Sequence, residues 1–363
     1  MNERNGTGIG RRALVLLGVV ALVVAACGGG ASPTPAKPSG KIVVSNWDLY
    51  FPGDLIKNFT AETGVEVEWS KHTTNEDIVG KLDASNGTGF DIVFVSAPFA
   101  EGLNNRGWAE KLDHGKLANV GNLAPEADKL GYDPGNTFSV PYTWGTTGLC
   151  YRSDLVTGTP SSWNDLLKPS AQLDKKITML ATDRWLLLPA LKQLGYSVNE
   201  TDEAKLNEAR DLLIETKKHL LAYDDTTFYS KLVSGEALLV QAWDGWCNYG
   251  ITDNDAIKFV VPSEGSDLWA DTMVIMKSSG NKSAAYAFID YILRPEVAKT
   301  VVDLTLYKVP NPKGMALVDA ATLAAYPNLA MSGADLLKGE PERDLGAAAP
   351  TWARIVAEIT AGQ

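Results

Sequence analysis

The pattern of apolar and polar residues after position 40 predicts a regular series of strands and helices. Val65, Val67 and Trp69 alternate with Glu66 and Glu68, which is the pattern of a strand with one buried face. The other elements that apolar spacing predicts in the first 100 residues are strands over 41–46 and 90–95 and helices over 54–63 and 75–82. Because strands alternate with helices, this region is predicted to be an α/β sheet with right-handed crossovers.

A second series of the same kind is predicted beyond residue 140. The stretch 142–151 has the composition of one strand that leads out of the first unit. The elements predicted after it are strands over 177–180, 237–242 and 258–262 and helices over 202–221 and 283–293. The sequence therefore predicts two similar α/β lobes.

Four clusters of aromatic and acidic or polar residues are the candidate binding residues. Trp269 and Asp271 are two positions apart, so in an extended backbone their side chains share one face. A flat ring beside a fixed carboxylate suits an organic cation, through cation–π attraction and a charge-assisted hydrogen bond. An isolated pair of this kind is more often a core tryptophan beside a surface acid. The three further clusters, which favour a binding site instead, are 46–50, 142–144 and 243–246.

Two of the candidate residues follow directly after predicted strands. Trp47 follows the first strand, and Ser96 follows the third. In open α/β sheets ligands bind beyond the carboxyl ends of the strands. We therefore expect both residues at the edge of the sheet where a ligand binds.

The composition narrows the classes of function. The chain has 363 residues, 45% of them hydrophobic and 21% charged, which is typical of a globular protein large enough for two domains. Its net charge of −11 disfavours a nucleic-acid partner, because phosphate binding needs a basic face. The three histidines lack metal-ligand spacing, and no nucleotide-binding or nucleophile motif is present, so no metal, no cofactor and no catalysis are expected. A hydrolase that uses two carboxylates, and a site that stacks a sugar on tryptophan, remain alternatives.

The N-terminal region has the features of an export signal. An apolar run over 13–26 follows two arginines and is short for a membrane span. Small residues precede Cys27, as in a bacterial lipobox, and a Gly-, Pro- and Ser-rich stretch follows it. We predict a signal peptide over 1–26 and a tether over 27–40 that is lipidated at Cys27. The protein would then be exported and anchored at the outer face of the cytoplasmic membrane; an ordinary signal peptide is the alternative.

Two cysteines remain after such processing, Cys150 and Cys247. In an exported protein a pair of cysteines is a candidate disulfide. Two separate buried thiols are nearly as compatible with the sequence, so both interpretations stay open.

Segments along nearly the whole mature chain resemble the spermidine/putrescine receptors of ABC importers. The resemblance is carried by Asn46-Trp47-Asp48-Leu49-Tyr50, Val140-Pro141-Tyr142-Thr143-Trp144, Trp269-Ala270-Asp271 and the stretches 59–64, 74–76, 91–96, 194–197 and 293–299. It implies an α/β fold of the two-lobed, type II periplasmic-binding-protein class, with a mixed sheet and flanking helices in each lobe and crossing hinge strands. The implied lobes are 41–147 plus 265–312 and 148–264 plus 313–363.

The resemblance also implies roles for individual residues in the cleft. Trp47 and Tyr50 would form one wall, with Ser96 at the floor. Trp243 and Trp269 would enclose a methylene chain, Asp271 would pair with an ammonium group, and Tyr307 would add a phenol contact. The implied partners are a polyamine-like cation and the membrane subunits of an ABC permease, and the receptor would be a monomer.

Several positions depart from the resemblance, and they affect the identity of the ligand. The family's acidic pair in the second lobe falls on Thr182 and Trp185, and its amide near the end falls on Glu342. A buried ammonium without a partner costs several kcal/mol. Either other acids replace the missing pair or the ligand carries fewer charges; an amino-acid derivative or a sugar is the alternative ligand. The acids that would replace the pair are Asp48, Asp183, Asp244 and Glu342.

Overall fold

The computed structural model describes residues 38–361. The predicted signal peptide, Cys27 and most of the predicted tether lie outside the described residues. The strands are β1 (Lys41–Trp47), β2 (Glu66–His72), β3 (Ile92–Ser96), β4 (Val140–Gly145), β5 (Thr147–Arg152), β6 (Ile177–Met179), β7 (Leu220–Tyr223), β8 (Leu239–Trp243), β9 (Ile257–Val260), β10 (Asp267–Ile275) and β11 (Glu340–Pro341). The α-helices are α1 (Leu55–Thr63), α2 (Asn75–Ala84), α3 (Ala97–Asn105), α4 (Asn164–Leu167), α5 (Asp183–Gln193), α6 (Glu203–Lys217), α7 (Phe228–Ser234), α8 (Asp244–Asp253), α9 (Lys282–Ile292), α10 (Pro295–Thr305), α11 (Pro312–Met315), α12 (Ala320–Ala325), α13 (Gly333–Leu336) and α14 (Ala349–Thr360).

The first lobe is built on a mixed sheet. The strand order is β11-β10-β3-β1-β2, and β4 pairs with the other side of β10. β1 is parallel to β2 and β3, as expected for strands joined by the crossover helices α1 and α2. β10 is antiparallel to β3 and β4, so it runs through the middle of the sheet in the opposite direction. This reversal places the start of β10 near the carboxyl ends of β3 and β1.

The second lobe is built on a five-stranded sheet of order β7-β6-β8-β5-β9. Its core contains Trp163, Leu187, Leu213 and Phe228, each fully buried, and Trp352 of α14 packs against the same core. In the structure Cys150 of β5 and Cys247 of α8 are joined by a disulfide bond, with Cα atoms 5.9 Å apart. This bond ties α8 to the strand beneath it.

The chain first crosses between the two sheets within 142–151, the stretch predicted to lead out of the first unit. β4 ends at Gly145 and β5 begins at Thr147, so Thr146 alone separates strands of different sheets. The prediction of one continuous strand over 142–151 is therefore wrong. The interruption is stabilised by Thr146, whose Oγ1 donates to the carbonyl of Asp267 over 2.8 Å. The second crossing leads from β9 to β10.

The hydrophobic contacts bear on where each lobe ends. Val318 and Leu329 are buried in the core of the first sheet, and Leu336 is buried in a second cluster on that sheet. These contacts favour assigning 313–341 to the first lobe, whereas the sequence predicted this segment in the second. The other predicted lobe boundaries stay a prediction. Among the described residues, no helix combines the length and hydropathy needed to cross a bilayer.

Candidate functional site

The site is organised by one face of β10. Asp267, Trp269 and Asp271 occupy alternate positions of this strand, so their side chains point to the same side. β11 is parallel to β10, with Asp267 opposite Glu340 and Leu268 opposite Pro341. The next residue, Glu342, continues this register, since its backbone N–H donates to the carbonyl of Leu268 over 3.4 Å. We call Asp267, Trp269, Asp271 and Glu342 the acidic face.

Two hydroxyl groups, those of Tyr50 and Ser96, form hydrogen bonds with the Asp271 carboxylate. Tyr50 Oη donates to Asp271 Oδ2 over 2.7 Å, and Ser96 Oγ donates to Oδ1 over 2.8 Å. Thr143 Oγ1 lies 2.7 Å from Tyr50 Oη and serves as the donor to it. Asn75 Oδ1 accepts the backbone N–H of Ser96 over 2.9 Å, which fixes the floor. Burial raises the pKa of Asp271, while the Tyr50 and Ser96 hydrogen bonds lower it.

Asp267 is fully buried and surrounded by donors. Its carboxylate accepts the backbone N–H of Thr147 over 2.7 Å and the Thr147 hydroxyl over 2.9 Å. It also accepts Trp185 Nε1 over 2.9 Å and the Ser266 hydroxyl over 3.2 Å. Burial raises the pKa of Asp267, and these hydrogen bonds lower it. Because Thr147 and Trp185 belong to the second lobe, Asp267 links the two lobes.

Glu342 differs from both aspartates. Its side chain is 2% exposed, and its Oε2 is buried without a hydrogen-bond partner. Burial raises the pKa of Glu342 to about 8; the positive charge of Arg184 lowers it, and the charges of Asp267 and Asp271 raise it. The carboxyl therefore lies within electrostatic reach of both aspartates.

Aromatic rings surround the acidic face. The ring of Tyr307 meets Trp269 edge-on with centroids 4.9 Å apart, and it lies 6.2 Å from Tyr50. Trp47 contacts Tyr50 with centroids 5.6 Å apart. Trp269 and Tyr307 are 4% and 6% exposed, so they offer faces that little water reaches. Such rings can enclose a methylene chain or the face of a cation.

The second lobe contributes a different surface. Trp185 and Trp243 meet at 85° with centroids 5.2 Å apart, and Trp246 lies 6.5 Å from Trp243. We call Trp185, Trp243 and Trp246 the aromatic wall. Trp185 lies in the first turn of α5, which follows β6, and Trp243 is the last residue of β8.

Two glycines, Gly145 and Gly245, allow their segments to pack closely against side chains of the site. A Cβ at Gly145 would overlap the Trp269 ring and the Asp244 carboxylate, and a Cβ at Gly245 would overlap the Tyr307 ring. Asp244 is 4% exposed, and its Oδ1 accepts the backbone N–H of Gly245 over 2.9 Å. Burial raises the pKa of Asp244 to about 8; the Gly245 hydrogen bond and the nearby Lys308 lower it, and Asp267 raises it.

Asp48 and Asp183 are the remaining acids that the sequence suggested as partners for an ammonium group. Asp48 is exposed and pairs with Lys71 over 2.6 Å, an ion pair that lowers the pKa of Asp48. Asp183 is half-buried at the start of α5, where burial and the charge of Glu76 raise its pKa. In the described part of the chain, no hydrogen bond or ion pair joins Asp48 or Asp183 to the acidic face.

Asp225, which is bonded to the candidate residue Thr182, was not predicted from the sequence. Its Oδ1 accepts the backbone N–H of Ala181 over 2.8 Å and its Oδ2 accepts the Thr182 hydroxyl over 3.1 Å. Asp225 follows β7, so the strand-end rule that selected Trp47 would have found it. That rule was not applied because 202–221 was predicted as one helix, whereas α6 ends at Lys217 and Leu220 begins a strand.

Metal chemistry has no support in residues 38–361. No group of three or more histidine, cysteine or acidic side chains there has the geometry to hold a metal ion.

Comparison with known proteins identifies the family. Residues 54–331 match the model of the bacterial extracellular solute-binding proteins. The spermidine/putrescine-binding periplasmic protein of Salmonella typhimurium is 31% identical over 337 residues, which is 92% of this chain and 95% of that protein. The putrescine-binding periplasmic protein PotF of Escherichia coli is 31% identical over 300 residues, 76% of this chain and 80% of that protein.

Solved structures agree with this assignment. A putative spermidine/putrescine ABC transporter protein from Listeria monocytogenes superposes with a TM-score of 0.81 at 27% identity, covering 89% of this chain and 99% of that one. The spermidine/putrescine substrate-binding protein of Streptococcus pneumoniae gives a TM-score of 0.75 at 29% identity, over 88% and 98% of the two chains. The chain therefore belongs to the bacterial extracellular solute-binding proteins, in the spermidine/putrescine group of ABC-importer receptors, and it is a receptor rather than an enzyme.

Proposed function

We propose that this receptor binds a polyamine-like organic cation in the cleft between its lobes and delivers it to an ABC permease. The observation that carries the proposal is the surroundings of Asp271. Within residues 38–361 this half-buried carboxylate accepts hydrogen bonds only from the hydroxyl groups of Tyr50 and Ser96, and Trp269 lies beside it on the same face of β10. No basic side chain of the described part of the chain is bonded to Asp271, so its charge is available to a ligand. An ammonium group would gain an ion pair and ring contacts in a site with little water.

The relatives support this chemistry, because they are named as spermidine/putrescine-binding and putrescine-binding proteins. The candidate binding residues are Trp47, Tyr50, Ser96, Trp243, Trp269, Asp271 and Tyr307, with Thr182, Asp183, Trp185, Asp244 and Glu342 as secondary candidates.

Titration calorimetry tests the proposal directly. The mature protein would be titrated with 1,4-diaminobutane, spermidine, spermine, butylamine, an ω-amino acid and maltose at pH 8. We expect the amines to bind and the sugar not to bind. Binding of the ω-amino acid or maltose in preference to every amine would reject the proposal, and the appearance of hydrolysis products in the same samples would favour a hydrolase.

We also propose that the mature protein is a lipid-anchored monomer. A lipobox-like sequence precedes Cys27, and a solved relative from Treponema pallidum, 25% identical with a TM-score of 0.79, carries the word lipoprotein in its name. Mass spectrometry of the N-terminal peptide from membranes should find a diacylglyceryl group on Cys27. An unmodified N-terminus at another residue would contradict the anchor.

A further inference from the structure

Asp267 is a buried acid whose two carboxylate oxygens are both occupied by donors of the protein itself. The side chain has no exposed surface. Its Oδ1 accepts the backbone N–H of Thr147 over 2.7 Å, and its Oδ2 accepts the Thr147 hydroxyl and Trp185 Nε1, each over 2.9 Å. These donors are neutral and come from the second lobe. Asp267 is therefore suited to hold parts of the second lobe in place rather than to pair with a ligand.

The indole of Trp185 depends on this carboxylate for its orientation. Gln241 Nε2 donates to the backbone carbonyl of Trp185, which holds the main chain at the start of α5 but leaves the ring free to turn. The ring is 7% exposed, and its N–H is bonded to Asp267. A buried indole N–H usually has a partner, and a bond to a charged acceptor is stronger than one to a neutral group. Asp267 thus selects one orientation of the Trp185 ring.

Trp185 in turn supports the more exposed ring of the aromatic wall. Trp185 and Trp243 meet edge-on at 85°, with centroids 5.2 Å apart. Trp243 is half-buried at the end of β8, whereas Trp185 is almost completely covered. Because an edge-to-face pair is favourable only over a narrow range of angles, a turn of the Trp185 ring would displace Trp243.

We propose that Asp267 is a positioning residue of the binding site, which fixes Trp185 and through it the orientation in which Trp243 meets the ligand. The importance of Trp243 for binding rests on the proposed function, whereas the orientation of the two rings does not depend on any ligand. Thr147 is bonded to the same carboxylate and begins β5 directly after the crossing at Thr146. The aromatic wall is therefore fixed to the point where the chain passes between the sheets.

Nuclear magnetic resonance tests the orientation without ligand. In protein labelled with ¹⁵N-tryptophan, the indole signals of Trp185 and Trp243 are assigned from Trp185→Phe and Trp243→Phe. Asp267→Asn keeps the size of the side chain and removes its charge. We expect the Trp185 indole proton to move upfield and to exchange faster with water in this variant, and the Trp243 signal to shift as well. The control is Asp255→Asn, an exposed acid of the second lobe, which should leave both signals in place.

Calorimetry with 1,4-diaminobutane tests the consequence for binding. Asp267→Asn should weaken binding by about threefold to tenfold, because the freed rings must be ordered when the ligand binds. When the same substitution is added to Trp185→Phe, it should weaken binding by less than about twofold, because the indole N–H through which Asp267 acts is already absent. An acid that merely stabilised the fold would have the same effect with or without that N–H.

The outcomes separate this inference from the proposed function. Unchanged signals of Trp185 and Trp243 in Asp267→Asn would reject the inference, and so would unchanged affinity or an equal loss in both backgrounds. If the parent binds no amine, the proposed function fails, and the two indole signals alone then decide whether Asp267 positions the wall. Thermal unfolding shows whether Asp267→Asn folds. If it does not, Trp185→Phe decides the question, since it should shift the Trp243 signal, and an unshifted signal rejects the inference.

Discussion

The two sides of the cleft differ in chemistry. The first lobe contributes acids and hydroxyl groups, namely Asp271, Glu342, Tyr50 and Ser96, whereas the second lobe contributes the indole rings of the aromatic wall. On the proposed function we therefore expect charge recognition mainly from the first lobe and apolar contact from the aromatic wall of the second, which also carries the acids Asp225 and Asp244. In an open receptor a cation would pair first with the acidic face, and closure would then add Trp243. If the contact with Trp243 forms only on closure, ligand binding should favour the closed state.

The largest effect is expected from removing the charge of the first lobe. Asp271→Asn keeps the size of the side chain and an acceptor for Tyr50 and Ser96 but removes the ionic partner. We expect diamine binding to weaken by about 2–5 kcal/mol, the range for breaking a desolvated charge pair. Calorimetry measures this loss, with Asp255→Asn, an exposed acid of the second lobe, as the control. If Asp271→Asn bound amines as tightly as the parent, the first lobe would not recognise the ligand's charge through Asp271.

The second prediction concerns stability without ligand. Burial raises the pKa of Glu342 from its usual 4.5 to about 8. Between these values the folded protein holds a proton that the unfolded chain has released, so this group makes the free energy of unfolding fall as pH rises from about 4.5 to 8. The slope for one proton approaches about 1.4 kcal/mol per pH unit, and the total over this interval is on the order of 5 kcal/mol.

Comparison of the parent with Glu342→Gln isolates this contribution. Denaturant unfolding at pH 5 to 8.5 should show a smaller decline for the variant. Other groups affect the parent curve as well, among them Asp244, whose pKa burial raises to about 8, and His72, whose pKa burial lowers to about 4. His72 contributes stability above about pH 6.5 that is lost as pH falls toward 4. Parallel curves for parent and variant would contradict a buried, unpartnered Glu342.

Several of these features were accessible from the sequence. The lobes follow from local periodicity, and the pair Trp269 and Asp271 follows from the two-residue repeat of a strand. The position of Glu342 does not follow from the sequence. β11 contains only two residues, and the side to which its side chains point is set by pairing with β10, about 70 residues away in sequence. The hydrogen bond from Trp185 Nε1 to Asp267 joins the two lobes, so local sequence patterns do not predict it either. Asp48 satisfied the sequence pattern, yet it lies in a turn where Lys71 pairs with it.

A smaller effect is expected from the second lobe, and it should not depend on ligand charge. Trp243→Ala removes an indole that is half-buried at the end of β8. We expect binding to weaken by about 1–3 kcal/mol, the range for losing the burial of one large apolar side chain. Because the indole carries no charge, butylamine and 1,4-diaminobutane should lose similar amounts in calorimetry. A loss confined to the diamine would mean that the aromatic wall also contributes to charge recognition.

The smallest change is expected in the shape of the protein. Closure should reduce the radius of gyration slightly, because the lobes rotate about the crossings at Thr146 and between β9 and β10. Small-angle scattering with saturating 1,4-diaminobutane should detect the reduction. Butylamine should produce the same reduction at its own saturating concentration, since the aromatic wall contacts the methylene chain and not the second ammonium group. Trp243→Ala, saturated with diamine, should close less completely than the parent. If the parent keeps one radius with and without ligand, the two sides of the cleft do not come together on binding, and charge and apolar contact are then recognised in a single preformed site.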